Sequence, residues 1–231
     1  MDIASVPKET FVALGRFCRD QFAVWLRVVK SPVTEISGLN LGDQKSSLDA
    51  IRFAVFTYLL SFAVALPASV IYWHQNLKDP ILLLTDAFIT ALVFVLAGSL
   101  LYISGKVVAG RGKFGSCLIA GLYLTAFYPI VYLIDYFGVV SPWIRQLALK
   151  QMIVTGIAAP TGLDRIYVVI ATLASFLLYV YLLLKVLPVI KYLHSVGLFR
   201  AIVIAGIWGL LFSFIYAFYI GPLITGTLGT K

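Results

Sequence analysis

Asp86 is the one carboxylate of this chain that falls well inside an apolar stretch, and a carboxylate within a membrane-type helix is by default a candidate functional group. It lies about five residues, roughly 8 Å at 1.5 Å per residue, from the nearer end of its stretch. Two chemistries suit that place. Asp86 can pair with Lys78 or Arg165 in a purely structural bond. Alternatively, with Thr90 one helical turn along and Thr85 nearby, it can line a polar path for a proton or cation.

The remaining reactive inventory is thin. There is no paired-histidine zinc helix, CxxC, phosphate-cradling glycine loop or nucleophile elbow. His74 and His194 fall at opposite ends of apolar stretches, so no shared metal site is expected. No cofactor is expected either, and the chain does not read as an enzyme. Cys18 and Cys117 lie in different segments and imply no disulfide framework. The tyrosines 102, 123, 128, 132, 179 and 181 can line a cavity, but an apolar ring with a polar tip more often serves at bundle contacts. Gly105, Gly110, Gly112 and Gly115 bracket a basic turn. A helix start there suits an anion, while a tight reversal between two antiparallel helices accounts for the glycines more simply.

The elements that position these residues are membrane spans. The chain has 231 residues, 61% hydrophobic and only 12% charged, against roughly a quarter charged in soluble domains. Its mean hydropathy is +0.98. Five apolar stretches are each long enough to cross a ~30 Å hydrocarbon core as a helix: residues 54–73, 81–103, 114–137, 166–187 and 201–220. The expected fold is therefore all-α, a polytopic bundle of five transmembrane helices over residues 51–231, preceded by a segment over residues 1–50. Pro129 inside the third span removes a backbone donor, so that span should kink or rewind. PVIKYLHSVGLFR, residues 188–200, reads as a compact basic turn, and residues 138–163 as a longer connection of undetermined conformation. No secretory leader is expected ahead of the first apolar run, which should serve as its own insertion signal.

Residues 9–30 carry too much charge to span, yet their periodicity is helical. Arg16, Arg19, Asp20, Arg27 and Lys30 share an arc of roughly 100°, opposite Phe11, Leu14, Cys18, Phe22 and Trp25. This is the pattern of an amphipathic helix lying among lipid headgroups, with Arg16, Arg19, Trp25, Arg27 and Lys30 as its membrane-surface residues and anionic lipid as its partner. The competing expectation is that the apolar face packs on the chain's own bundle or on another subunit. Ser31 and Pro32 should end this helix, with a polar connector after it.

The net charge of +8 would suit nucleic acid, but its distribution follows membrane orientation instead. Thirteen Lys and Arg fall on the side of the N-terminal segment and five on the other, which predicts a cytoplasmic N-terminus and an outer C-terminus.

The glycine-rich basic turn running into a proline-bearing third span, GRGKFGSCLIAGLYLTAFYP, and the fourth span, turn and fifth span, LYVYLLLKVLPVIKYLHSVGLFRAIVIAG, resemble the Yip-domain (Ypt-interacting protein) family of five-span membrane proteins over about residues 50–220. The resemblance implies a compact non-enzymatic bundle. Eukaryotic members of the family are associated with vesicle trafficking and small GTPases. The long acidic or proline-rich tail of those members is missing here, which points to a bacterial-type inner-membrane protein. Two functions are expected on these grounds. One is a structural or adaptor protein acting through protein and lipid contacts, as a homo-oligomer or part of a membrane complex; the other is a small channel or transporter with a polar path near Asp86.

Overall fold

The computed structural model describes residues 8–41, 43–73, 80–134, 162–215 and 218. Within these residues every regular element is helical. The elements in order are α1 (Lys8–Lys30), α2 (Pro32–Ser37), α3 (Gln44–Trp73), α4 (Pro80–Val107), α5 (Phe114–Leu124), a 3₁₀ turn (Thr125–Phe127), α6 (Tyr128–Ile134), α7 (Gly162–His194) and α8 (Leu198–Ile215). Five stretches are long and apolar enough to cross a membrane: Gln44–Val64, Ala87–Val107, Phe114–Val131, Phe176–His194 and Leu198–Ile215. The protein is an all-α polytopic membrane bundle. The connections over residues 74–79 and 135–161 and the segment after residue 218 lie outside the described residues.

Lipid tails are as apolar as leucine, so membrane helices gain little by hiding side chains from lipid and associate instead through close packing. Small residues supply it here. At the α4–α5 crossing, a Cβ on Gly121 would stand 2.7 Å from the Gly98 Cα, and one on Gly98 would stand 2.8 Å from the Leu118 Cα. Ala120, Ala126, Ala201 and Ala205 are buried in the same core. The buried hydroxyls of Thr57, Ser61 and Ser104 donate to the carbonyls four residues earlier, Phe53, Thr57 and Leu100, and are thus satisfied within their own helices.

The third span rewinds where the sequence requires it. Pro129 has no N–H to offer the Thr125 carbonyl, four residues back. The chain tightens into the 3₁₀ turn, and Tyr128 N–H bonds that carbonyl instead. The Thr125 hydroxyl donates to the Leu122 carbonyl at 2.6 Å.

Three departures from the sequence reading exceed four residues. The connector after Pro32 contains α2, with Pro32 in the first helical turn, where a missing N–H costs nothing. The first span begins at Gln44, ten residues before the expected 54, because Ser46, Ala50 and Phe53 are buried against the bundle, while Asp49 and Arg52 pair at 3.4 Å on the exposed side of the same turns. The expected basic turn over residues 188–200 shrinks to residues 195–197. Helix α7 runs through Pro188 to His194, since Val189, Ile190, Leu193 and His194 are all buried against the bundle and their packing outweighs one lost backbone bond. The turn itself reverses at Ser195, at φ +51°.

Candidate functional site

Helix α1 is divided along its length. One side of its final turns faces inward, with Leu26 exposed on the other: Val28 is fully buried, and Val24, Trp25 and Val29 pack against the core. Trp25 Nε1 donates to the Ala126 carbonyl at 2.7 Å, inside the rewound 3₁₀ segment. Ala126 is twelve residues along from Phe114, about 18 Å of helix. Helices α1 and α2 thus lie along the flank of the bundle rather than beneath its end. The junction is fastened twice more. Arg27 Nε donates to Glu35 Oε1 at 2.8 Å, and Lys185 Nζ donates to the Lys30 carbonyl at 2.6 Å, placing a cation at the C-terminal end of α1.

The residues proposed to meet the membrane surface therefore divide between two tasks. Trp25 and Arg27 are committed to the bundle and to α2. Arg16, Arg19 and Lys30 are exposed, with Arg19 beside Asp20 at 3.3 Å. Around the earlier turns, Phe11, Val12, Leu14 and Phe22 are also exposed, at 44–56%. Cys18 is exposed among them.

The backbone of Asp86 belongs to α4, but its side chain lies outside the described residues, as do those of Lys78 and Arg165. Thr90 is half-buried in the same helix. Of the described tyrosines, Tyr102, Tyr123 and Tyr128 serve as packing elements, while Tyr179 and Tyr181 are exposed. Tyr123 stacks on Phe53 at 4.9 Å, Tyr128 meets Phe94 at 5.3 Å, and Tyr102 meets Phe114 edge-on at 5.5 Å. Lys106 and Lys185 each stand 5.3 Å over a ring, that of Tyr102 and Tyr181 respectively.

Sequence reasoning missed a buried imidazole. His194, the last residue of α7, is fully buried in a hollow walled by three of the glycines of the basic turn. A Cβ on Gly105 would lie 1.9 Å from its Cε1; on Gly112 or Gly110 it would lie 2.5 or 2.9 Å from its Nδ1. The turn is bonded around it. Gly110 N–H donates to the Gly105 carbonyl at 2.7 Å, Ala109 takes φ +58°, and Arg111 N–H donates to the His194 carbonyl at 3.0 Å. The glycines are thus required by the ring that fills their place as well as by the reversal. Cys117 Sγ lies 3.7 Å from His194 Nε2, within weak hydrogen-bond range for sulfur, while Nδ1 has no partner among the described residues. Among the same residues no third His, Cys, Asp or Glu joins the pair to form a metal-binding group.

The clue in the sequence was the combination of glycines 105, 110 and 112 at one reversal with a single histidine at the same end of a neighbouring helix. Three missing side chains leave a void that a close-packed interior must fill. No protein-family model, curated protein or solved structure matches the chain.

Proposed function

We propose that the chain is a non-enzymatic integral membrane protein of the Yip-domain kind, working as a structural or adaptor component through lipid and protein contacts. In this reading it sits in a bacterial-type inner membrane with its N-terminus cytoplasmic, as a homo-oligomer or as part of a membrane complex. The observation that supports an adaptor is the lengthwise division of α1. Its end is anchored through Trp25 and the Ala126 carbonyl, while its beginning offers Phe11, Leu14, Arg16 and Arg19 to a partner outside the bundle. A short helix with basic residues beside exposed aromatic and aliphatic ones suits an anionic headgroup layer.

The test is a nitroxide label on a cysteine at position 14, in a Cys18→Ser background, in the whole protein reconstituted into vesicles. With anionic lipid, collisions with oxygen should outweigh collisions with a polar nickel reagent at this site, and Arg16→Glu with Arg19→Glu should reverse the balance. A label that stays water-exposed in anionic vesicles would refute lipid contact. Ion flux above that of empty vesicles, abolished by Asp86→Asn in a folded variant, would replace the adaptor reading by the channel one.

A further inference from the structure

Where α2 crosses α7 and α8 departs from it, two open hollows flank a ridge made by Leu184 and Pro188. The hollow toward α2 has a volume of about 370 Å³ and is walled by Pro32, Val33 and Tyr181; the other, of about 250 Å³, is walled by Leu187 and Leu198. Each has one lysine in its wall, Lys185 in the first and Lys191 in the second, and among the described residues neither wall includes an acidic one.

The two cations are differently held. Lys185 spends one of its three donors on the Lys30 carbonyl, which fixes the ammonium in place with donors to spare. Lys191 is exposed, and its ammonium has no hydrogen-bond or ion-pair partner among the described residues. The carboxylate borne by α2, Glu35, is already paired with Arg27 at 2.8 Å. Away from the lysines, the outward side of α7 continues as an exposed apolar strip through Leu184, Leu177 and Leu173.

One cation in the wall of each of two adjoining apolar hollows, with an apolar strip leading away along a spanning helix, matches the chemistry of a lipid with a negative headgroup. We propose that the Leu184–Pro188 ridge is the seat of one anionic diacyl phospholipid, its phosphate between Lys185 and Lys191 and its two acyl chains in the hollows on either side. Leu184, Lys191 and Leu198 of the two walls are exposed on the outer surface of the bundle, and basic recesses between membrane helices are where anionic headgroups bind. The site goes beyond the adaptor reading, because it uses α2, α7 and α8 and none of the exposed residues of early α1.

The test is lipid retention by the full chain purified in mild detergent, measured by native mass spectrometry after exposure to phosphatidylglycerol or to phosphatidylcholine with the same acyl chains. One phosphatidylglycerol should be retained in preference. A lysine near the headgroup is worth about five-fold in affinity, so Lys191→Gln, a change at an exposed residue, should reduce the preference about five-fold. Leu184→Trp should obstruct both hollows and abolish retention of either lipid. Arg16→Gln with Arg19→Gln should leave retention unchanged, which separates this site from the membrane contact proposed for α1. Equal retention of the two lipids by the wild type, an undiminished preference in Lys191→Gln, or full competition by soluble glycerol phosphate would each overturn the proposal.

Discussion

Gly105→Ala is the change whose expected sign most clearly separates local preference from packing. Gly105 is in the last turn of α4, and alanine in a helix is ordinarily favoured over glycine by about 1 kcal/mol. Helix propensity alone therefore predicts a more stable protein. The new Cβ, however, would meet His194 Cε1 at 1.9 Å, Nδ1 at 2.2 Å and Nε2 at 2.6 Å. To reach ordinary van der Waals contact the ring would have to retreat about 1.5 Å in a close-packed interior. Its retreat is obstructed by Gly112, whose Cα leaves no room for even a methyl group beside Nδ1, and by Cys117 Sγ at 3.7 Å.

Overpacking of this kind costs about 1–3 kcal/mol. Taking the upper end, because three ring atoms clash at once, and subtracting about 1 kcal/mol for helix propensity leaves a net loss of about 2 kcal/mol. At roughly 2–4 °C per kcal/mol for a chain of this size, the apparent Tm should fall by about 4–8 °C. Size-exclusion chromatography of protein heated stepwise in a mild detergent would measure it. His194→Ala alone should also destabilise, by about 2–3 kcal/mol, because it leaves a cavity. In the double variant the Gly105→Ala methyl enters that cavity, so the two losses should fall short of additive by at least about 1 kcal/mol. A Gly105→Ala protein that melts at or above the wild-type temperature, or a strictly additive double variant, would refute the packing argument.

Trp25→Phe leaves an aromatic ring to face Phe22, which the indole meets at 5.4 Å, but removes the donor to the Ala126 carbonyl. It should cost about 1 kcal/mol, lowering the apparent Tm by about 2–4 °C; no change would mean that α1 is not held there. Gly121→Leu must push α4 from α5, because its Cβ meets backbone at 2.7 Å, and folded protein should be largely lost from detergent extracts, whereas Gly115→Leu, with open space around it, should be tolerated. If both express alike, the two helices do not cross in backbone contact. For orientation, cysteines introduced one at a time at Lys45 and Thr227, in a background lacking Cys18 and with Cys117 buried, should show position 227 labelled by an impermeant reagent in intact cells and position 45 protected. The opposite pattern would reverse the topology.

The five spans were legible because hydropathy summed over some twenty residues is little affected by any one of them, and the described helices occupy those same stretches. The rewinding at Pro129 was legible because it results from covalent structure: a missing N–H leaves one identifiable carbonyl to be satisfied. Pro188 has the same covalent consequence, yet its helix continues, and the difference lies in the packing of the next turn. Residues 189, 190, 193 and 194 have partners to pack against, a fact of tertiary contact that no local pattern carries. The early start of α3 belongs to the same class, since polarity around Asp49 and Arg52 marks the end of an apolar run but not the end of a helix.

The contacts around the candidate sites are long-range, which is why composition and spacing located their residues without joining them. Cys117 and His194 are separated by 77 positions, and Trp25 and Ala126 by 101. A helical wheel sorts the residues of α1 by angle and so yields one apolar face with one partner. The structure sorts them by position along the axis. Val24, Trp25, Val28 and Val29 turn toward protein, while Phe11, Val12 and Leu14, apolar in the same sense, remain exposed. The division falls where α1 reaches the 3₁₀ turn, because a helix interrupted by Pro129 exposes backbone acceptors that an indole N–H can reach. The irregularity in the third span therefore decides where α1 is anchored, and with it how much of the amphipathic helix is left for a partner outside the bundle.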